Sequence, residues 1–280
     1  MADSVKISAE ELAHFLKKVR FGSDEILFKF DSQGLEVRNA SNSDVGITGF
    51  LNKEVFDSIV DYEFVIPDLK LFNALLSRFR TSKIKLIKKD NYIKVNSKFF
   101  QVDLPIMRQE YFKPFELKKD LEPLFSLDID VQKFQDVLSV LSVAKGEDVI
   151  LSFDKNGILH LKVIGVERMT ARIKIPVKQE KHIKLNLKKF IAILSLFADE
   201  ASIGVYDNFI LLKDISGISS IFYYIPALVV DNLENMVLEH SPSKKAKDLG
   251  KADDFDIDKK QIKKSKKNVL RKKKNKGGVK

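Results

Sequence analysis

FDSQG at residues 30–34 and FDKNG at residues 153–157 are one turn written twice, 123 positions apart. Apolar residues alternate on both sides, in DEILFKF and GLEVRNA around the first copy and in DVILSF and ILHLKVIG around the second. Alternation with period two, broken by a Gly-containing turn, predicts a β-hairpin. Ser32-Gln33-Gly34 turns the first, and Asn156-Gly157 reads as a two-residue turn in the second.

The duplication extends outward from the hairpins. Ser8 with Glu11 is a capping-box signature, and Leu12, Phe15, Leu16 and Val19 share one helical face that stops at Gly22, which predicts a helix over about 9–20. Asp130 likewise precedes VQKFQDVLSVLSVAKG, a helix burying Val131, Phe134, Leu138 and Leu141 and stopping at Gly146. Downstream, Asp68 caps LKLFNALLSRF, with a buried stripe of Leu69, Phe72, Leu76 and Phe79, and Asn186 caps LKKFIAILSLF at an offset of 118. Asp90-Asn91-Tyr92-Ile93 is answered by Asp207-Asn208-Phe209-Ile210, and Leu104-Pro105 by Ile225-Pro226. Five landmarks in one order, at offsets between 117 and 124, favour a duplication over two unrelated α+β domains.

Each half thus reads helix, hairpin, strands, helix, strands, and the economical packing is an α+β unit with two helices on one face of antiparallel sheet. The expected domains are 1–105 and 130–228, joined by a connector over 106–129 and followed by an extension over 229–280.

Composition bounds the partners. The 280 residues carry a formal charge of +10, but residues 241–280 hold fifteen Lys and one Arg against five Asp, so residues 1–240 sum to −1. The basic character belongs to a tail that lacks the apolar content to fold alone. The absence of cysteine excludes disulfides, thiolate metal sites and a Cys nucleophile, and fits a reducing, intracellular compartment. His14, His160, His182 and His240 have no metal-ligand spacing, and no cofactor is implied. The acidic N-terminus does not read as a secretory signal, and the longest apolar run, residues 221–230, contains Pro226 and is too short to span a bilayer, so a soluble protein without membrane partners is expected. GxxxxGK[ST], GxSxG and HExxH are all absent, so the expectation is a protein that is not an enzyme.

Across residues 5–228 the order and spacing resemble the DNA polymerase sliding clamp family, specifically the two-domain clamps typified by proliferating cell nuclear antigen (PCNA). The residues that carry the resemblance are FDSQGLEVRNASNSDV, DLKLFNALLSRF, FDKNGILHL and the terminal FYYIPAL. The resemblance implies the DNA clamp fold and a closed ring, a homotrimer in which strands of adjacent subunits pair edge to edge and helices line a channel around double-stranded DNA. It places the free edges near residues 106–116 and 169–177. It further implies a processivity factor for a DNA polymerase, other partners carrying clamp-binding motifs, and an ATP-dependent clamp loader, because a closed ring cannot thread onto circular DNA unaided. The location implied is intracellular, at DNA.

Two surfaces follow from the resemblance. Basic and polar residues on the helix faces opposite the buried stripes would meet phosphates without reading bases: His14, Lys17, Lys18 and Arg20; Lys70, Asn73, Ser77, Arg78, Arg80 and Lys83; Lys133 and Lys145; Lys188 and Lys189. Any single one reads equally well as solvated helix surface, and Asp136 is out of place on such a face. A pocket for partner peptides would use Ala40 and Val45, Leu121, Leu124 and Phe125 in the connector, and Pro226, Ala227 and Leu228, although Leu124 and Phe125 serve equally as core anchors. Asp44 stands where related clamps often have a histidine.

The lysine tail is the largest departure, and Leu233, Met236 and Val237 before it have helical spacing. Two other readings stay open: a heteromeric clamp subunit or clamp-like transcription cofactor, and a monomeric DNA-binding accessory whose affinity comes from the tail.

Overall fold

The computed structural model describes residues 4–231, save 22, 80, 81, 117–120 and 199. The expected helix stop at Gly22, the extension beyond residue 231 and its lysine tail lie outside the described residues.

The first half runs β1 (Val5–Ser8), α1 (Ala9–Val19), β2 (Ile26–Asp31), β3 (Gly34–Asn39), β4 (Gly46–Asn52) and β5 (Phe56–Ser58). It continues with β6 (Tyr62–Ile66), α2 (Leu69–Phe79), β7 (Lys83–Lys88), β8 (Tyr92–Asn96) and β9 (Gln101–Pro105). The second half runs β10 (Phe125–Asp130), α3 (Val131–Ser142), β11 (Asp148–Phe153), β12 (Ile158–Ile164) and β13 (Arg168–Lys174). After these come β14 (Lys181–Asn186), α4 (Leu187–Leu194), β15 (Glu200–Val205), β16 (Phe209–Ser216), β17 (Ser219–Pro226) and β18 (Leu228–Val230). The short β5 aside, the element order of the first half is that of the second up to β17, so the α+β repeat read in the sequence is the architecture.

Local chemistry starts each helix as the sequence predicts. Ser8 Oγ accepts from Glu11 N, Asp68 Oδ1 from Leu71 N, Asp130 Oδ1 from Lys133 N and Asn186 Oδ1 from Lys189 N, so each helix has one of its orphan amides satisfied by a capping side chain. The buried stripes are those expected, with Leu12, Phe15, Leu16 and Val19 on α1 and Leu69, Phe72, Leu76 and Phe79 on α2. One expectation fails at the end of α3. The helix stops at Ser142, and Lys145 takes the left-handed conformation at φ 57°. Gly146 is needed instead for close approach, since a Cβ there would lie 2.6 Å from Val163 Cγ1.

Three antiparallel sheets result. Order β5-β1-β7-β8-β9 belongs to the first half and β13-β12-β11-β14-β18 to the second, while β10-β15-β16-β17-β4-β3-β2-β6 takes strands from both. The junction of the halves is the pairing of β17 with β4, from Ser219 opposite Leu51 to Tyr224 opposite Gly46. One face of this central sheet packs on helices: Gly49 lets α1 approach so closely that a Cβ would meet Val19 Cγ1 at 2.8 Å and Phe15 Cζ at 3.0 Å. The other face, odd-numbered steps away at Gly46, is covered by the connector.

The edge strand expected near residues 106–116 is β9, which ends the first-half sheet opposite β5. Pro105 ends the strand, and the next amides bond elsewhere, Ile106 N to Asn91 O at 3.1 Å and Met107 N to Val65 O at 2.9 Å. Phe115 N donates to Asn39 O at 2.7 Å, and Leu124 N, just before β10, donates to Val205 O at 2.7 Å. Phe125 therefore stands in β10 rather than in the connector, buried against Phe153 with ring centroids 4.9 Å apart.

Candidate nucleic-acid interface and partner groove

Packing of α1 against α2 turns two polar faces into one surface. His14 and Lys17 from α1 and Asn73 and Ser77 from α2 line a common groove, together with Glu10, Ala13 and Leu76. The rest of the face is basic and exposed, with Arg20 on the far end of α1 and Lys70 and Arg78 on α2. Arg80 lies outside the described residues.

Three expected members of the DNA-facing set point elsewhere. Lys18 is half-buried with its ammonium 2.6 Å from Asp214 Oδ2, so it ties α1 to β16 rather than facing outward. Lys83 starts β7 with its ammonium on Asp57 Oδ1 at 2.6 Å, and the alternation with buried Ile84 puts it on the solvent face of the sheet, away from the helices. Lys189 reaches Asp44 Oδ2 at 2.8 Å and so links α4 to the loop between β3 and β4. Helical projection shows which side chains leave the buried stripe; it does not show a carboxylate delivered by a distant strand.

The second half offers a weaker face. Lys133 and Lys188 are exposed, and Lys145 sits in the turn after α3. Aligned on their capping residues Ser8 and Asp130, the α1 positions His14, Lys17 and Arg20 become Asp136, Ser139 and Ser142 on α3. Asp136 accepts from Gln132 Nε2 at 2.8 Å, which turns its charge back along its own helix. Of the expected set, Lys17, Arg20, Lys70 and Arg78 are exposed in the first half and Lys133, Lys145 and Lys188 in the second.

The residues expected for a partner groove lie about the loop between β3 and β4 and the end of β17, on the face of the central sheet over which the connector packs. Ala40 and Val45 are buried, Pro226 is exposed, and Ala227 and Leu228 are half-buried, Leu228 as the first residue of β18. Leu121 and Leu124 are exposed at the far end of the connector. Asn39, fully buried, shapes the loop between β3 and β4 by donating to Val45 O at 2.6 Å and accepting from Ile47 N at 2.8 Å. Over this loop runs Phe112-Lys113-Pro114-Phe115: Phe112 packs with Ala40, Val65, Leu27 and Met107, and Phe115 packs on Tyr224 with centroids 4.9 Å apart. Tyr206 and Phe209, stacked at 4.3 Å, complete an aromatic cluster with Tyr224 and Phe222. Burial pushes the Tyr206 and Tyr224 phenols above the usual range, so both are neutral hydrogen-bonding groups here. The Lys189 ammonium holds the Asp44 carboxyl below its usual range.

Sequence reading missed Phe112, Phe115, Tyr206, Phe209 and Tyr224 as groove residues. Three aromatics within five residues, Tyr111, Phe112 and Phe115, were the available signal in the connector.

Among the described residues no group of acidic, His or Cys side chains has metal-holding geometry, and no helix is long and apolar enough to cross a membrane.

No family model matches the chain, and no curated protein matches it in sequence. Solved structures do match in fold. PCNA from Entamoeba histolytica superposes with a TM-score of 0.67 at 13% identity, covering 81% of this chain and 98% of that one. PCNA from A. fulgidus, solved with the C-terminal region of FEN-1 bound, gives 0.65 at 14% identity over 80% of this chain and 97% of that one. The PCNA2-PCNA3 complex from Sulfolobus tokodaii gives 0.64 at 15% identity over 80% and 98%. The chain has the DNA clamp fold.

Proposed function

We propose that this chain is a sliding clamp subunit, which closes into a homotrimeric ring around duplex DNA and tethers a polymerase and other partners without catalysing a reaction. One observation carries the reading. The β17–β4 junction inside the chain is one copy of a junction whose other two halves, β9 and β13, are left open.

The repeat makes the correspondence residue by residue. Leu104 opposite Ile93 corresponds to Ile225 opposite Ile210, which sets β9 on β17. Ile173 opposite Leu159 corresponds to Leu51 opposite Leu35, which sets β13 on β4. Inside the chain the inward residues Tyr223 and Ile47 meet and are 0% and 1% exposed, while their counterparts Val102 and Met169 are only partly buried. Among the described residues β9 pairs only with β8, and β13 only with β12. Open edges of this kind invite association unless a partner takes them. Apolar side chains gather beside each edge: Phe99 and Phe100 next to β9 are 74% and 65% exposed, and Val140 of α3 and Val143, which follows its last residue, are 61% and 72% exposed. The α1 counterparts of Val140 and Val143 are Lys18, paired with Asp214, and Phe21, half-buried against the core. A second copy seated on β13 supplies what β4 receives from β17, and a head-to-tail contact of this type closes into a ring when its rotation allows.

The basic α1–α2 face then supplies phosphate contacts that read no sequence, as sliding requires. Partner binding is supported by the A. fulgidus neighbour, solved with the C-terminal region of FEN-1 bound, and the connector groove is the surface we assign to it. Tethering needs only modest affinity, because it raises the partner's effective concentration at the template.

Light scattering of the full chain over a dilution series tests the reading. A mass three times that of the 32.0 kDa subunit is expected, with retention on circular DNA and loss from linear DNA. A monomer at every concentration sinks the homotrimer and favours a heteromeric clamp subunit, for which the Sulfolobus tokodaii complex is the precedent in fold.

A further inference from the structure

The connector does more than border the partner groove. We propose that its own segment Gln109–Phe115 is a built-in occupant of that groove, and that an incoming peptide must displace it. The proposal rests on reading this surface as the partner site, and it adds both a regulation of that site and the chemistry of the peptide that fits.

The segment docks as a peptide ligand docks. A single turn of 3-10 helix, Gln109–Tyr111, leads into an extended stretch. That stretch pairs antiparallel with the end of β3, Phe115 N donating to Asn39 O at 2.7 Å and Ser41 N to Lys113 O at 2.8 Å, with Ala40 opposite Pro114. Strand addition gives affinity through the main chain, and side-chain pockets give selectivity. Two aromatic anchors three residues apart fill the pockets, Phe112 over Ala40 and Val65 and Phe115 over Gly46 and Tyr224. The second pocket exists because residue 46 has no side chain: a Cβ on Gly46 would lie 2.3 Å from the Phe115 ring. The groove accordingly fits an extended peptide with one turn and two aromatic anchors at this spacing.

The segment is also removable. Among the described residues it is held by two inter-segment backbone hydrogen bonds and two aromatic side chains, and its third aromatic, Tyr111, is 73% exposed. Contacts so few and so local open at a free energy far below that of global unfolding. An occupant in cis reduces the apparent affinity for a peptide in trans by the fraction of chains whose groove is open.

The experiment uses the full chain and a fluorescent synthetic peptide with the sequence of residues 108–116 (RQEYFKPFE) as the probe. The Phe112→Ala/Phe115→Ala variant is expected to bind it about tenfold or more tightly than the native chain, by anisotropy. Adding Gly46→Ala to that variant fills the second pocket and is expected to abolish binding. Equal affinities for the native chain and the double variant would overturn self-occupancy while leaving the groove as a peptide site. No binding to either would overturn both. Where the double variant fails to fold, Gly46→Ala alone serves: ejection of the Phe115 ring should speed hydrogen exchange at the Ser41 amide about tenfold or more. Exchange of that amide at the global unfolding rate in both proteins would sink the proposal, because the segment would then open only with the whole fold.

Discussion

Lys17 and Lys18 are neighbours in sequence with opposite duties. Lys17 is exposed in the groove with His14, whereas Lys18 meets Asp214 at 2.6 Å with both side chains mostly buried, 16% and 11% exposed. Tyr223 adds to the same anchor by donating from its hydroxyl to Lys18 O at 3.1 Å. Removing one charge of a mostly buried pair strands the other, so Asp214→Ala should cost roughly 2 kcal/mol in urea unfolding. The same division appears in DNA binding: Lys17→Ala should reduce the slope of log affinity against log salt by about 1, and Lys18→Ala should leave it unchanged. A reduced slope in Lys18→Ala would return that residue to the DNA-facing set. Burial also raises the Tyr223 and Tyr62 phenols above their ordinary value near 10. Both stay protonated in the folded chain and ionise on unfolding, so the stability they contribute is full below pH 10 and is lost as the pH rises above it. Tyr223→Phe should therefore unfold with a shallower pH dependence above pH 10, measured by urea titration. At this scale the sequence is least legible, since Asp214 lies 196 residues from the lysine it satisfies.

At the scale of elements the caps, stripes and hairpins were legible because each is set by residues within a few positions of one another. The two turns that look alike nevertheless differ. In the first, Asp31 pairs directly with Gly34, so two residues make the turn. In the second, Asp154 Oδ1 accepts from both Asn156 N and Ile158 N at 2.8 Å, and the loop holds three residues, Lys155, Asn156 and Gly157, with Gly157 left-handed at φ 73°. The expected two-residue turn at Asn156-Gly157 is thus replaced by a longer one, chosen by a side-chain bond that a dipeptide rule does not contain. Left-handed backbone costs about 1 kcal/mol or more for a residue with a Cβ. Gly157→Ala should accordingly destabilise by at least about 1 kcal/mol, aggravated by the Ile175 carbonyl oxygen 2.8 Å from the new Cβ. Lys145→Gly should do the reverse and stabilise by up to about 1 kcal/mol, because Lys145 already holds φ 57° without being glycine. Urea midpoints at unchanged slope would check both; a destabilised Lys145→Gly would mean that the lysine side chain contributes more than its backbone strain costs.

For the whole molecule the duplication was legible and the identity of the free edges was not. The sequence marks where a strand alternates, but only the register of β8 against β9 shows that the edge strand ends at Pro105 and that the next residues turn to other partners, Met107 to Val65 and Pro114 to Ala40. Once that register is known, the internal junction supplies the external one. Tyr224 opposite Gly46 in the β17–β4 pair corresponds to Asp103 of β9 opposite Arg168 of β13 in a neighbouring copy, and Phe222 opposite Thr48 corresponds to Gln101 opposite Thr170. Both Asp103 and Arg168 are exposed in the single chain, so the contact brings opposite charges together at the cost of little desolvation. Reversing one of them places like charges opposite each other at every junction of the ring, and because the junctions are identical the penalty is repeated at each. Asp103→Arg and Arg168→Asp should therefore each lower the mass found by light scattering towards that of the monomer at micromolar concentration. The chain carrying both changes restores an attractive pair at every junction and should recover the assembly, with the effect of each single change fading at high salt. Recovery in the double variant would fix the register of β9 on β13. Assembly unaffected by either single change would place the interface somewhere other than these two edges.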